Sequence, residues 1–260
     1  MKKLKYVEVK YISHILRNFY LYFILYVSLF LIYDFRLSAC SFFKGLFVYV
    51  ISYSVVYFIN DYCDQKEDAK NNKRNLYLSI NNNKIFWSIV VILLFFGLMF
   101  TYFVSILALF LLIVLLFLNY LYNFRPFHFR NKNFARETNI FVIYFVKWLY
   151  ILELMDFFEY SYSIPLALLI MGASFASLST SLYKRHINKH QKSELFYGLI
   201  FVMSTILSCV LYKEIIILFL PVVLIIAYIF IKYKNNQIPI GKFQLVFTIY
   251  VLIIYLLKIS

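Results

Sequence analysis

The run "IFWSIVVILLFFGLMFTYFVSILALFLLIVLLFLNYLY", residues 85–122, contains no charged side chain. A bilayer core takes about 20 apolar residues per helix. The run is therefore too long for one crossing and reads as two helices, 85–102 and 105–122, joined by a tight hairpin near Phe103. Working outward, apolar runs of similar length, with at most two charged residues in any one, recur between charge clusters at 15–33, 41–59, 138–154, 163–182, 195–212, 215–231 and 243–257. The composition agrees: 63% hydrophobic and 15% charged residues, with a mean hydropathy of +0.78, lie far from a soluble globular domain. The expected fold is all-α, a polytopic membrane protein built as a bundle of nine transmembrane helices with cytoplasmic capping loops. It is expected to form a single membrane domain over residues 1–260, without a soluble appendage. The first run follows a polar stretch and lacks a small-residue cleavage site, so it is expected to be a retained helix rather than a signal peptide. Three scattered Cys imply no disulfide framework.

The charges orient the bundle. Alternation over nine crossings puts all but five of the 26 Lys and Arg in the N-terminal tail and in the loops after helices 2, 4, 6 and 8; the exceptions are Arg36, Lys44, Lys147, Lys213 and Lys258. That bias is the positive-inside signature. It places the N-terminus and those loops in the cytoplasm and the C-terminus outside, in the cell inner membrane. The net charge of +14 then reflects orientation and attraction to anionic headgroups, and no nucleic-acid partner is expected.

Just upstream of the long apolar run stands "VVYFINDYCDQKEDAKNNKRN", residues 55–75. Asn60, Asp61, Asp64 and Asp68 occupy positions 0, 1, 4 and 8, which at about 100° per residue share one ~100° face of a helix. Carboxylates so close repel one another unless a cation sits among them. Hard oxygen ligands of this kind suit Mg²⁺, which takes one or two carboxylates plus phosphate oxygens. A solvated polar helix end is the competing reading, weakened by the apolar lead-in and the one-sided spacing.

The pattern NDxxDxxxD at the end of the second helix resembles the first aspartate-rich motif of the UbiA superfamily of intramembrane prenyltransferases, also nine-helix bundles with cytoplasmic loops over the site. The resemblance implies a Mg²⁺-dependent transferase in which Asp61, Asp64 and Asp68 hold the metal, the metal holds a diphosphate, and the lipid tail lies in the bundle. Asp61 and Asp64 are the catalytic carboxylates and Asn60 orients them beside the diphosphate. The implied partners are a prenyl diphosphate or polyprenyl phosphate lipid and a hydrophobic acceptor.

The remaining loops refine this. "LYNFRPFHFRNKNFARE", residues 121–137, is similar to a Tyr-x-x-x-Pro-x-x-x-Lys/Arg stretch of that family through Tyr122, Pro126 and Arg130. Arg125, Arg130 or Lys132 are candidate phosphate or acceptor contacts, or positive-inside anchors. Most prenyltransferases of that family carry a second aspartate-rich motif after helix 6; here "STSLYKRHINKHQKSE", residues 179–194, has no Asp. Lys184, Arg185 and Lys189 are candidates to neutralise diphosphate directly. A Lys-Arg pair there, with Lys73 and Arg74 after the first motif, is similar to the phosphoribosyl-transferring branch of the superfamily, although the Arg-Pro that follows in that branch is absent ("NLYLSI"). His186 and His190 lack a third metal ligand and read as interfacial residues.

Lys147, deep in the fifth helix, is a functional candidate because ionisable groups within a membrane are costly. It is expected to reach the diphosphate or an aspartate of the motif. Glu137 is either an acceptor-side base or a helix-dipole charge, and Glu153, Asp156 and Glu159 are expected to be solvated on the far side. The 30 Phe and 25 Tyr serve as cation-stabilising faces or as lipid-facing packing. The leading expectation is prenyl transfer from a prenyl diphosphate to a hydrophobic acceptor. The alternatives are phosphoribosyl transfer from phosphoribosyl diphosphate to polyprenyl phosphate and, in another class, a transporter or non-catalytic lipid-binding relative.

Overall fold

A computed structural model of the chain describes residues 33–70, 75–80, 82–124 and 133–157, much of 15–30, and positions 126, 127, 129, 170 and 174. The described residues are helical with no strand. A short apolar helix, Asn18–Val27 (α1), precedes Ala39–Lys70 (α2), Leu76–Ile80 (α3), Asn83–Val104 (α4), Ile106–Asn123 (α5) and Asn133–Leu154 (α6). Stretches of α2 (Ala39–Lys66), α4 and α5 are each long and apolar enough to cross a membrane, so the chain is associated with one. The expected spans 41–59, 85–102 and 138–154 fall within helices, and 105–122 does so from Ile106 on, whereas 195–257 and nearly all of 163–182 lie outside the described residues.

Local chemistry sets the boundaries. Ser38 starts α2 by accepting the Ser41 N–H at 3.0 Å, and Asn82 starts α4 by accepting the Ile85 N–H at 3.2 Å; both satisfy amides that a helix start leaves unpaired. The break inside the long apolar run is a single extended residue, Ser105 (φ −163°, ψ 143°). Its N–H bonds the Thr101 carbonyl at 3.1 Å, closing α4. Its Oγ accepts from the Leu107 and Ala108 N–H groups, opening α5. Proline-free and glycine-free, the turn works because one hydroxyl caps the next helix.

Two compact units divide the chain, Met1–Tyr22 with Leu37–Tyr160, and Phe23–Arg36 with Ser161–Ser260. In the first, α4 packs on α2 and α5 on α6. Gly97 lets α4 approach closely: a Cβ there would stand 2.9 Å from the Ser52 Cα, the small-residue contact that membrane helices use in place of a hydrophobic driving force. At the same level the fully buried Tyr150 hydroxyl joins α6 to α2 and α4, 2.8 Å from Ser52 Oγ and 2.9 Å from Thr101 Oγ1. Ser52 gives its proton to the Val48 carbonyl at 2.7 Å, so Tyr150 donates to Ser52 and receives from Thr101. Meanwhile Val91, Phe95, Phe103, Ile106, Phe110 and Phe117 stay exposed along α4 and α5, as a lipid-facing wall requires. In the second unit, Asp34 (φ 52°) pairs with Arg36 at 3.3 Å on the surface.

Candidate functional site

At 32 residues, α2 is about 48 Å long, against a bilayer core of about 30 Å. One continuous helix therefore spans the apolar distance and still carries Asn60, Asp61, Asp64 and Asp68 on its final turns. The sequence spacing had placed these four on one helical face, and the helix runs through all of them. Asp61 is buried, and Asn60, Asp64 and Asp68 are partly so.

Residues outside the motif hold its side chains. Asp61 Oδ2 accepts the Leu76 backbone N–H at 2.7 Å, capping the first turn of α3. Asn75 donates its amide to the Asp61 carbonyl at 2.7 Å and to Asp68 Oδ2 at 2.9 Å. Its oxygen accepts the Leu78 N–H at 3.2 Å, so every arm of this amide is used. Leu76, fully buried, anchors the arrangement in a cluster with Val55, Phe58, Phe86 and Val90. On the other side, Asn123 of α5 donates to Asn60 Oδ1 at 2.7 Å and to the Asn119 carbonyl at 3.0 Å.

Asn75, Asn119 and Asn123 are the residues that sequence reasoning missed. A signal was present: two Asn four residues apart in the otherwise apolar α5 stand on one face, where membrane helices place polar groups for an interhelical partner.

Lys147 stands elsewhere. It is 3% exposed, with Nζ 3.9 Å from the Tyr53 ring centroid and 5.7 and 5.9 Å from those of Tyr49 and Tyr144, a cation–π enclosure. Tyr53 precedes Asp61 by about 12 Å of helical rise, so the lysine lies well inside the bundle rather than beside the motif. Glu153 corrects an expectation. It is buried, not solvated, and accepts a hydrogen bond from the Ser105 hydroxyl at the α4–α5 break. Glu137 is partly exposed and lies 3.9 Å from Arg136. Lys73, Arg74, Arg125, Arg130, Lys132, Lys184, Arg185, His186, Lys189, His190 and Glu159 lie outside the described residues.

Among the described residues, no three His, Cys, Asp or Glu side chains gather as a metal-holding group. What the structure brings together is a partly buried acidic and amide face at the end of a membrane-length helix, with its first, second and last members oriented by neighbours. Comparison with protein-family models, with curated proteins and with solved structures finds no match to this chain.

Proposed function

We propose that the chain is a Mg²⁺-dependent intramembrane transferase that moves a prenyl group from a prenyl diphosphate to a hydrophobic acceptor. The observation that carries the reading is the continuity of α2: one helix provides both an apolar, membrane-length segment and, directly beyond it, the face bearing Asn60, Asp61, Asp64 and Asp68. A substrate with a charged head and a lipid tail matches that division. The likeness of NDxxDxxxD to the UbiA superfamily motif supports the same assignment.

The donor set is suited to the metal. Mg²⁺ takes one or two carboxylates and fills its shell with water and phosphate oxygens, and Asp61 and Asp64, three residues apart, are neighbours on the helix surface. Asp68, held by Asn75, is not required for such a pair. Bound there, Mg²⁺ would neutralise the diphosphate and ease its departure. The chain's own groups preset the geometry: Leu76 N–H holds one Asp61 oxygen, leaving less reorganisation to the reaction itself. Lys73, Arg74, Arg125, Arg130, Lys184 and Arg185 are the proposed diphosphate clamp. Lys147, at its depth, acts along the lipid-binding interior. The active-site end faces the cytoplasm in this reading.

Phosphoribosyl transfer to polyprenyl phosphate is the second reading, favoured by the basic, Asp-free stretch at 179–194. Membranes containing the protein, incubated with labelled prenyl diphosphate or labelled phosphoribosyl diphosphate, separate the two by which label enters lipid in a Mg²⁺-dependent way. Asp64→Ala should abolish that incorporation. Label from neither donor, or incorporation indifferent to Asp64→Ala, would turn the assignment toward the transporter or lipid-binding class, to which the buried Lys147 and Glu153 would then belong.

A further inference from the structure

The hydrogen bonds around Asn60 fix which end of its amide meets a ligand. Amide oxygen and nitrogen are told apart by their bonding network, and here the network has an unambiguous anchor. The Asn119 backbone carbonyl can only accept, so the Asn123 atom 3.0 Å from it is the nitrogen. The same nitrogen lies 2.7 Å from the Asn60 side chain. The Asn60 atom it meets must therefore be the oxygen. Asn119 makes the same bond one turn earlier, its amide to the Leu115 carbonyl at 2.8 Å. Asn123 is 8% exposed, so its amide makes these bonds away from bulk water. The Asn60 nitrogen remains, with no hydrogen-bond partner among the described residues.

We propose that Asn123 is a positioning residue that locks Asn60 as a hydrogen-bond donor, so that the Asn60 amide nitrogen binds a phosphate oxygen of the ligand. This rests on the proposed function and deepens it. An amide oxygen is a hard ligand that suits Mg²⁺; an amide nitrogen carries two N–H donors and no lone pair for a metal. By committing the Asn60 oxygen to α5, the fold leaves the amide nitrogen of the motif's first residue as the end available to an anion. It stands four residues, one helical turn, from Asp64. Metal and anion are then recognised by different members of the same helical face, carboxylates for one and an amide for the other.

Full-length protein in detergent, titrated with inorganic diphosphate with and without Mg²⁺, tests this. Asn60→Asp retains an oxygen for Asn123 and replaces the donor by an acceptor. It should weaken diphosphate binding by about tenfold or more, the effect expected for losing a hydrogen bond to a charged group, while leaving thermal stability near that of the parent. In Asn123→Asp the new carboxylate only accepts, so it draws the Asn60 nitrogen toward α5 and turns the oxygen outward, with a similar loss of diphosphate affinity. A purely structural Asn123 predicts lowered stability with unchanged affinity of the folded fraction. Diphosphate affinity within about twofold of the parent in Asn60→Asp, given that the parent binds, overturns the donor lock alone. Absence of Mg²⁺-dependent diphosphate binding by the parent overturns the reading of the site and the lock with it.

Discussion

Asp61 illustrates how one residue carries two burdens. Its carboxylate is a proposed metal ligand, and the same group caps α3 through the Leu76 N–H, a bond buried from solvent. Removing the acceptor leaves that amide unsatisfied, which costs about 1–3 kcal/mol. Asp61→Ala should thus lower unfolding stability by about that amount. Asp61→Asn keeps an oxygen for Leu76, so it should cost under about 1 kcal/mol while still losing Mg²⁺-dependent diphosphate binding. Thermal denaturation in detergent beside the binding titration separates the two effects. If Asp61→Ala proves as stable as the parent, the cap is not formed in solution. The shared helical face of the motif was legible in the spacing of Asn60, Asp61, Asp64 and Asp68, because it depends only on residues within nine positions. That Asn75 would bridge Asp61 and Asp68 was not, since it depends on how α3 packs against α2.

Helix ends show the same division. The apolar run 85–122 announced two helices, and the expected break near Phe103 falls at Ser105, the nearby residue with a side-chain oxygen able to cap the start of α5. The end of α6 is a tighter case. Phe157 N–H bonds the Leu152 carbonyl at 3.2 Å and Asp156 N–H the Glu153 carbonyl at 3.0 Å, the paired pattern that closes a helix through a left-handed residue. Asp156 supplies that residue at φ 58°, a conformation in which a side chain is costly and glycine is not. Asp156→Gly should therefore raise stability by about 0.5–1 kcal/mol and Asp156→Val lower it by about 1–2 kcal/mol, read from unfolding midpoints. A stabilising Asp156→Val would contradict this account of the helix end. Glu153, expected in solvent because charged helix ends usually are, is instead buried against Ser105. Nothing within α6 reveals that, because the partner belongs to the hairpin between two other helices.

At the scale of the whole molecule, cross-links at successive depths order the helices of the first unit. Gly45 lies against Leu154, Ser52 meets Tyr150, Asn60 meets Asn123, and Ser105 meets Glu153. This sequence of partners makes α2 antiparallel to α6 and brings the ends of α2 and α5 together, as alternating crossings require. In the proposed orientation, with the basic loops inside, Cys40, exposed at the start of α2, and Cys63, on the motif turn, are predicted to face opposite sides. In variants retaining one cysteine each, a membrane-impermeant maleimide should label Cys40 on intact cells and Cys63 only after permeabilisation. The reverse pattern would invert the orientation and move the proposed site to the outer face.

The sequence by itself determined that this is a membrane chain of helices, where the apolar segments lie between 41 and 154, and that four oxygen-bearing side chains share one face beyond the second of them. Each of these is a property of composition or of short-range periodicity, and bilayer thickness and helical pitch convert them directly into structure. Only the tertiary structure decided which of those side chains are held and by what: Asn60 by Asn123, Asp61 by Leu76, Asp68 by Asn75, and Lys147 within tyrosines deep in the bundle rather than at the motif. The physical reason is that a polar group buried away from water must find a partner wherever packing brings one. For Asn60 that partner is 63 residues away in the chain, a distance over which no local pattern specifies a contact.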